Sequence, residues 1–135
     1  MFRGIISSER RKMPRVIVDM TPIGKARPRK GRGGHFYTPK LTADAEKIIR
    51  YYYRAANPDA KPLTGPVRFV LSAYFPAKRD ETWHVSRPDL SNIVKLAEDA
   101  LNGLAYKDDS QICEILCRKK YTRADPRLDI EVTEA

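Results

Sequence analysis

The chain predicts one α+β domain, a mixed β-sheet with two α-helices packed on one face, and three features of the sequence carry that prediction. Apolar residues alternate with polar ones in some stretches, recur at helical spacing in two others, and the segments follow the order strand, helix, strand, helix, strand, strand. With 135 residues, 41% of them hydrophobic, there is material for a single core and no room for a separate cofactor domain.

Val16 to Met20 reads as the first strand. The stretch from Pro22 to Pro39 holds Lys25, Arg27, Arg29, Lys30 and Arg32 among Gly31, Gly33 and Gly34, a mobile basic loop with room for a short hairpin at His35 to Tyr37. From Thr42 the pattern changes. Ala45, Ile48, Ile49, Tyr52, Tyr53 and Ala56 fall on one helical face, and Asn57-Pro58 ends that helix because the residue before a proline is driven out of the α region. Val67, Phe69, Leu71, Ala73 and Phe75 then alternate with Arg68, Ser72 and Tyr74, a long strand with one face in the core, closed by Pro76.

Ala77 to Ser86 is a second polar loop. Leu90, Ile93, Val94, Ala97, Ala100, Leu101 and Leu104 trace a second amphipathic helix, stopped near Gly103. After a turn at Lys107 to Ser110 come strands over 111–121 and 128–133, with Ala124-Asp125-Pro126 turning between them. Residues 1–13 (MFRGIISSERRKM) have scattered charges and no long apolar run, so they read as a flexible basic arm and not as a secretory signal, leaving 14–135 as the folded domain.

Twenty-six Lys and Arg against seventeen Asp and Glu give a formal net charge of +9, which points to a polyanionic partner. No apolar run approaches the roughly 18 residues that a spanning helix needs, so a membrane is excluded as partner and a cytoplasmic setting is expected. Cys113 and Cys117 lie four positions apart on a predicted strand, about 13 Å along it, too far for a disulfide. They read as small buried hydrophobes.

Within this basic chain the acids stand out. Taken singly, Asp89 before the second helix is an N-cap, Asp108 and Asp109 are turn residues, and Lys95 is a solvated helix lysine. Taken jointly, they predict that the second helix returns the chain to the sheet and the next turn carries Asp108 and Asp109 back toward Asp89. Such carboxylates would give Mg²⁺ the hard oxygen ligands it prefers, and a nearby lysine would offset charge developing on a phosphate. Phosphodiester hydrolysis is the reaction that fits.

The segments Arg87-Pro88-Asp89-Leu90-Ser91-Asn92-Ile93-Val94-Lys95, Glu98-Asp99-Ala100-Leu101 and Lys107-Asp108-Asp109-Ser110-Gln111 closely resemble the RusA family of Holliday junction resolvases. Gly24-Lys25-Ala26-Arg27-Pro28-Arg29 and Tyr37-Thr38-Pro39 resemble its phage and prophage branch, and the resemblance runs from about residue 16 to 133. It implies a homodimeric, Mg²⁺-dependent endonuclease, bacterial or phage-encoded, that nicks four-way DNA junctions symmetrically and uses no organic cofactor. Carried over by position, Asp89 and Asp109 match catalytic acids, Lys95 the catalytic lysine and Asp108 the neighbouring acid. The family's usual Asp-x-Asp-Asn pattern has Ser91 here in place of its second acid. Glu98, seven positions later on the same helical face and about 10.5 Å further along the axis, is the candidate substitute. The expected metal set is therefore Asp89, Asp108, Asp109 and Glu98, with Asp99 structural and Glu114 a lower-ranked alternative.

The expected DNA surface is Lys25, Arg27, Arg29, Lys30, Arg32, Lys78, Arg79 and Arg87, which would neutralise phosphates without reading bases. His35, Tyr37, Trp83 and His84 sit among them, either stacking on unpaired bases or packing locally. The competing reading is a junction-binding or architectural protein that has lost cleavage through Ser91. A PD-(D/E)xK nuclease is disfavoured because no later acid-x-Lys follows on a strand, and an RNA-binding domain lacks a recognition motif.

Overall fold

A computed structural model describes residues 14–37, 39–77 and 81–135, so the arm 1–13 and the candidates Lys78 and Arg79 lie outside the described residues, as do the side chains of Arg29 and Tyr37. In chain order the elements are β1 (Arg15–Val18), β2 (Arg29–Lys30), β3 (Phe36–Tyr37), α1 (Lys40–Ala56), β4 (Val67–Pro76), α2 (Leu90–Leu101), β5 (Ile112–Thr122) and β6 (Arg127–Glu134). The sheet has four strands in the order β1-β6-β4-β5, and β2 pairs with β3 as a separate short hairpin within the basic loop. The predicted mixed α+β architecture, with two helices and one sheet, is the one observed.

Alternation explains which face of the sheet is covered. Val16 and Val18 of β1, the five apolar residues from Val67 to Phe75 of β4, and Leu128, Ile130 and Val132 of β6 are all buried. Against them lie Ala45, Ile49 and Tyr53 of α1 and Ile93, Leu96, Ala97, Ala100 and Leu101 of α2. Each fully buried aliphatic side chain contributes about 1.5–3 kcal/mol, so this apolar layer, more than helix propensity, holds α2 in place.

The crossover sets where the acids can go. β4 and β5 are parallel, with Val67 beside Ile112 at one end and Pro76 beside Thr122 at the other, and α2 runs back between them. The loop into α2 therefore leaves from the Pro76 end, while the turn out of α2 feeds β5 at the Ile112 end. Asp89 and Asp109 belong to opposite ends of one helix.

β5 is an edge strand, and a loop covers part of it. Tyr121 donates its backbone N–H to Thr82 at 2.8 Å, His84 donates to Lys119 at 3.3 Å, and Trp83 bridges Lys120. Upstream of this cover Cys113 is exposed, so the expectation of a buried hydrophobe fails there at the edge of the sheet, while half-buried Cys117 packs against the core. His84 is buried and stacks on Phe75 with ring centroids 3.8 Å apart, which makes it a packing residue and removes it as a base-stacking candidate. Trp83 stays exposed, with the Lys120 ammonium 4.9 Å from its ring centroid.

Candidate active site

Asp89 occupies the N-cap position of α2 with extended backbone angles, yet its side chain makes no capping hydrogen bond. It is exposed, and so are Ser91 and Lys95 further along the helix. The Arg87-Pro88 peptide before it is cis. Two carbonyls of this segment, those of Ser86 and Pro88, accept hydrogen bonds from Nζ of Lys119, each at 2.8 Å.

A cleft of about 490 Å³ opens beside Asp89, walled by Gly24, Lys25, Arg87 and Asn92. The basic loop is docked here, since Lys25 donates its backbone N–H to the Asn92 carbonyl at 3.0 Å. Close approach requires the glycine: a Cβ on Gly24 would stand 3.0 Å from that of Asn92 and 3.2 Å from that of Pro88. The side chain of Lys25 turns inward. Its ammonium is ion-paired with Asp99 and lies 3.4 Å from Glu46, so it ties the loop to both helices. Burial lowers its pKa, but the hydrogen bond and charge of Asp99, followed by those of Glu46, outweigh that and hold it above 10.5. Lys25 is thus a strut in this structure and not a free DNA-facing cation, and Asp99 has the structural role expected of it.

At the other end of α2 a second acidic locus forms. Asp109 opens a single 3-10 turn, Asp109–Gln111, whose N-cap is Asp108. The Asp108 carboxylate accepts the Ser110 N–H at 3.1 Å, and the Gln111 side-chain oxygen accepts the Asp108 N–H at 2.8 Å. That hydrogen bond from Ser110 pulls the Asp108 carboxyl below its usual value. The Gln111 amide donates to the carbonyls of Leu63 and Gly65, both at 2.9 Å, anchoring the turn. Asp108 is committed to shaping the turn; Asp109 is what the turn presents.

Glu98 feels the charge of this turn. Burial raises its carboxyl pKa, Lys95 works in the opposite direction, and the charges of Asp109 and Asp99 raise it further. Beneath it the buried Tyr106 phenol donates to the Glu98 carbonyl at 2.6 Å, and burial, then the charges of Glu98 and Asp109, push that phenol far above its ordinary pKa.

The structure brings Glu98, Asp109 and Lys95 into one electrostatic neighbourhood. It places Asp89 nine residues before Glu98, about 13.5 Å away along the helix axis. Among the described residues no three acidic, His or Cys side chains are gathered closely enough to hold an ion by themselves. The expected convergence of Asp89, Asp108, Asp109 and Glu98 on one ion is not seen in the single chain, because the parallel crossover separates the helix ends and Asp108 is spent on its cap.

Of the expected DNA surface, Arg27, Lys30, Arg32 and Arg87 are exposed, and Phe36 on the hairpin is 72% exposed beside them. Sequence reasoning missed Lys119 and the anchoring role of Gln111. A signal for Lys119 existed: it interrupts the otherwise apolar series Ile115, Cys117, Tyr121 on one side of β5.

A family model described as endodeoxyribonuclease RusA matches residues 19–133. The chain is 29% identical over 133 residues to the uncharacterized protein YqaN of Bacillus subtilis (strain 168), covering 84% of this chain and 90% of that protein. It is 34% identical over 73 residues to a crossover junction endodeoxyribonuclease rusA of Lactococcus phage r1t, covering 51% of this chain and 55% of the phage protein.

Proposed function

The chain belongs to the RusA family of endodeoxyribonucleases, and from that premise we propose that it resolves four-way DNA junctions by paired nicks, as a homodimer and with Mg²⁺. The observation that carries this reading is the Asp89 carboxylate: among the described residues it stands at the start of α2 without capping it, two positions after Arg87, in a chain of net charge +9. An acid serving only the helix would spend its oxygens on the free N–H groups.

The donor chemistry suits a hard divalent cation. Glu98 and Asp109 repel one another, and Mg²⁺ is commonly held by one or two carboxylates plus water and substrate phosphate, so a complete protein cage is not required. Glu98 and Asp109 would hold the ion, with Glu98 standing in for the acid absent at Ser91. When bound, it supplies Lewis-acid polarisation of the phosphodiester. Lys95, exposed between the two acidic loci, offsets charge developing on the phosphate, and Asp89 provides the second locus at the start of the helix. Arg27, Lys30, Arg32 and Arg87 neutralise flanking phosphates. An isologous dimer would set two such sites against strands of equal polarity, matching the two-fold symmetry of the junction.

A second reading rests on the neutral Ser91 and the absence of a gathered acid cluster among the described residues: a protein that binds junctions without cutting them. Incubating end-labelled four-way junction and linear duplex with protein, with MgCl₂ or with EDTA, separates the two. Paired incisions in the junction alone, abolished by EDTA, support the nuclease; tight junction binding with no incision supports the second reading.

A further inference from the structure

We propose that Lys119 is a positioning residue that fixes Asp89 for cleavage, an inference that rests on the nuclease reading above. Lysine carries three N–H donors on a flexible stem, and two of them are used here on carbonyls one and three residues before Asp89, those of Pro88 and Ser86. Hydrogen bonds from a charged donor are about twice as strong as neutral ones, so this is a firm grip on a segment that lies outside the sheet ladder.

The anchor itself is rigid. Lys119 sits in the parallel ladder opposite Ala73, on the same side of β5 as Cys117 and Tyr121, which pack on the core. Its own carbonyl accepts the His84 N–H at 3.3 Å, and His84 is locked against Phe75. Force on Asp89 is therefore passed through the backbone of Ser86 to Pro88 into β5 and, across its ladder, into β4. Without the ammonium, the first residue of the site would hang from a loop. Lys119 acts through carbonyl oxygens and is not itself placed at the phosphodiester.

The test compares wild type with Lys119→Met, which keeps the length of the stem and removes the donors, and with Lys119→Arg, which restores them. Three quantities are read: the single-turnover nicking rate on a four-way junction, the junction Kd, and amide hydrogen exchange across residues 85–92. Because misplacement by about 1 Å can cost on the order of a hundredfold in rate, Lys119→Met is expected to nick at least about tenfold more slowly. Its Kd stays within about threefold of wild type, since one exposed phosphate contact at most is altered. Exchange across the segment speeds up, and Lys119→Arg recovers most of the rate. In an Asp89→Asn background the Met substitution changes residual nicking by less than about twofold, as for residues acting as one unit.

Unchanged nicking in Lys119→Met overturns the proposal, as does an equal loss of binding and nicking, or an effect fully additive with Asp89→Asn. If Lys119→Met does not fold, Lys119→Gln, which keeps a neutral donor, carries the same comparison. If wild type itself never nicks, the nuclease reading falls, and the exchange data alone then decide whether Lys119 holds the Asp89 segment.

Discussion

Glu98 and Asp109 hold like charges near each other where α2 gives way to the following turn, and burial together with that repulsion keeps the Glu98 carboxyl above its ordinary pKa. A carboxyl whose folded-state pKa is raised costs stability once the unfolded chain can ionise it. The deficit is absent well below 4.5, develops as pH rises from there to the raised value, and is complete above it. Glu98→Gln should therefore stabilise the protein at neutral pH and change little near pH 4. Thermal melts at the two pH values check this, and equal shifts at both would contradict it. Asp109→Asn should lower the Glu98 pKa, read by NMR titration of its side-chain carboxyl carbon.

Lys25 separates fold from DNA binding. Its ion pairs with Asp99 and Glu46 are about four-fifths removed from solvent, so they lie between an exposed pair and a buried one. Lys25→Met should cost on the order of 1–2 kcal/mol by denaturant unfolding, above the typical exposed pair and below the buried limit. Because the Lys25 pKa is raised, that contribution is fully present below 10.5 and fades only as pH climbs through the raised value. A variant as stable as wild type would show that the pairing is decorative.

Arg27 should behave in the opposite way. Exposed on the basic loop, it is expected to leave stability within about 0.5 kcal/mol when changed to alanine. If it contacts one phosphate, the slope of log K against log salt should become shallower by about 1. A salt titration of junction binding measures this, and an unaltered slope would remove Arg27 from the interface.

Asp108 and Asp109 differ in what a conservative change removes. Asn can still accept the Ser110 N–H, so Asp108→Asn should keep the turn and keep nicking, whereas Asp109→Asn should lower nicking at least about a hundredfold, the scale of losing one transition-state group. A comparable loss in both variants would make Asp108 a ligand after all.

Much of the fold could be read before any coordinates. Alternation from Val67 to Phe75 and the helical spacing of Ala45, Ile49 and Tyr53 each reflect one buried face, and burial is what the pattern records. The site was legible only in part. Asp89, Lys95, Glu98 and Asp109 stood out by type and spacing, but their placement depends on β5 running parallel to β4, a pairing that no local pattern encodes. Adjacent identical acids concealed which one the backbone consumes, because that follows from the extended angles of Asp108 and the reach of Ser110. Lys25 looked like its neighbours Arg27 and Arg29 until the two helices came together around it.

The central claim is that this chain cuts branched DNA through the acids at the two ends of α2. Single-turnover incision of an end-labelled four-way junction in MgCl₂, comparing wild type with Asp89→Asn and Asp109→Asn, tests it most directly. The account predicts paired incisions by wild type, and junction binding with incision lowered at least about a hundredfold by either variant. Wild-type binding with no incision at any MgCl₂ concentration, or undiminished incision by both variants, would contradict it.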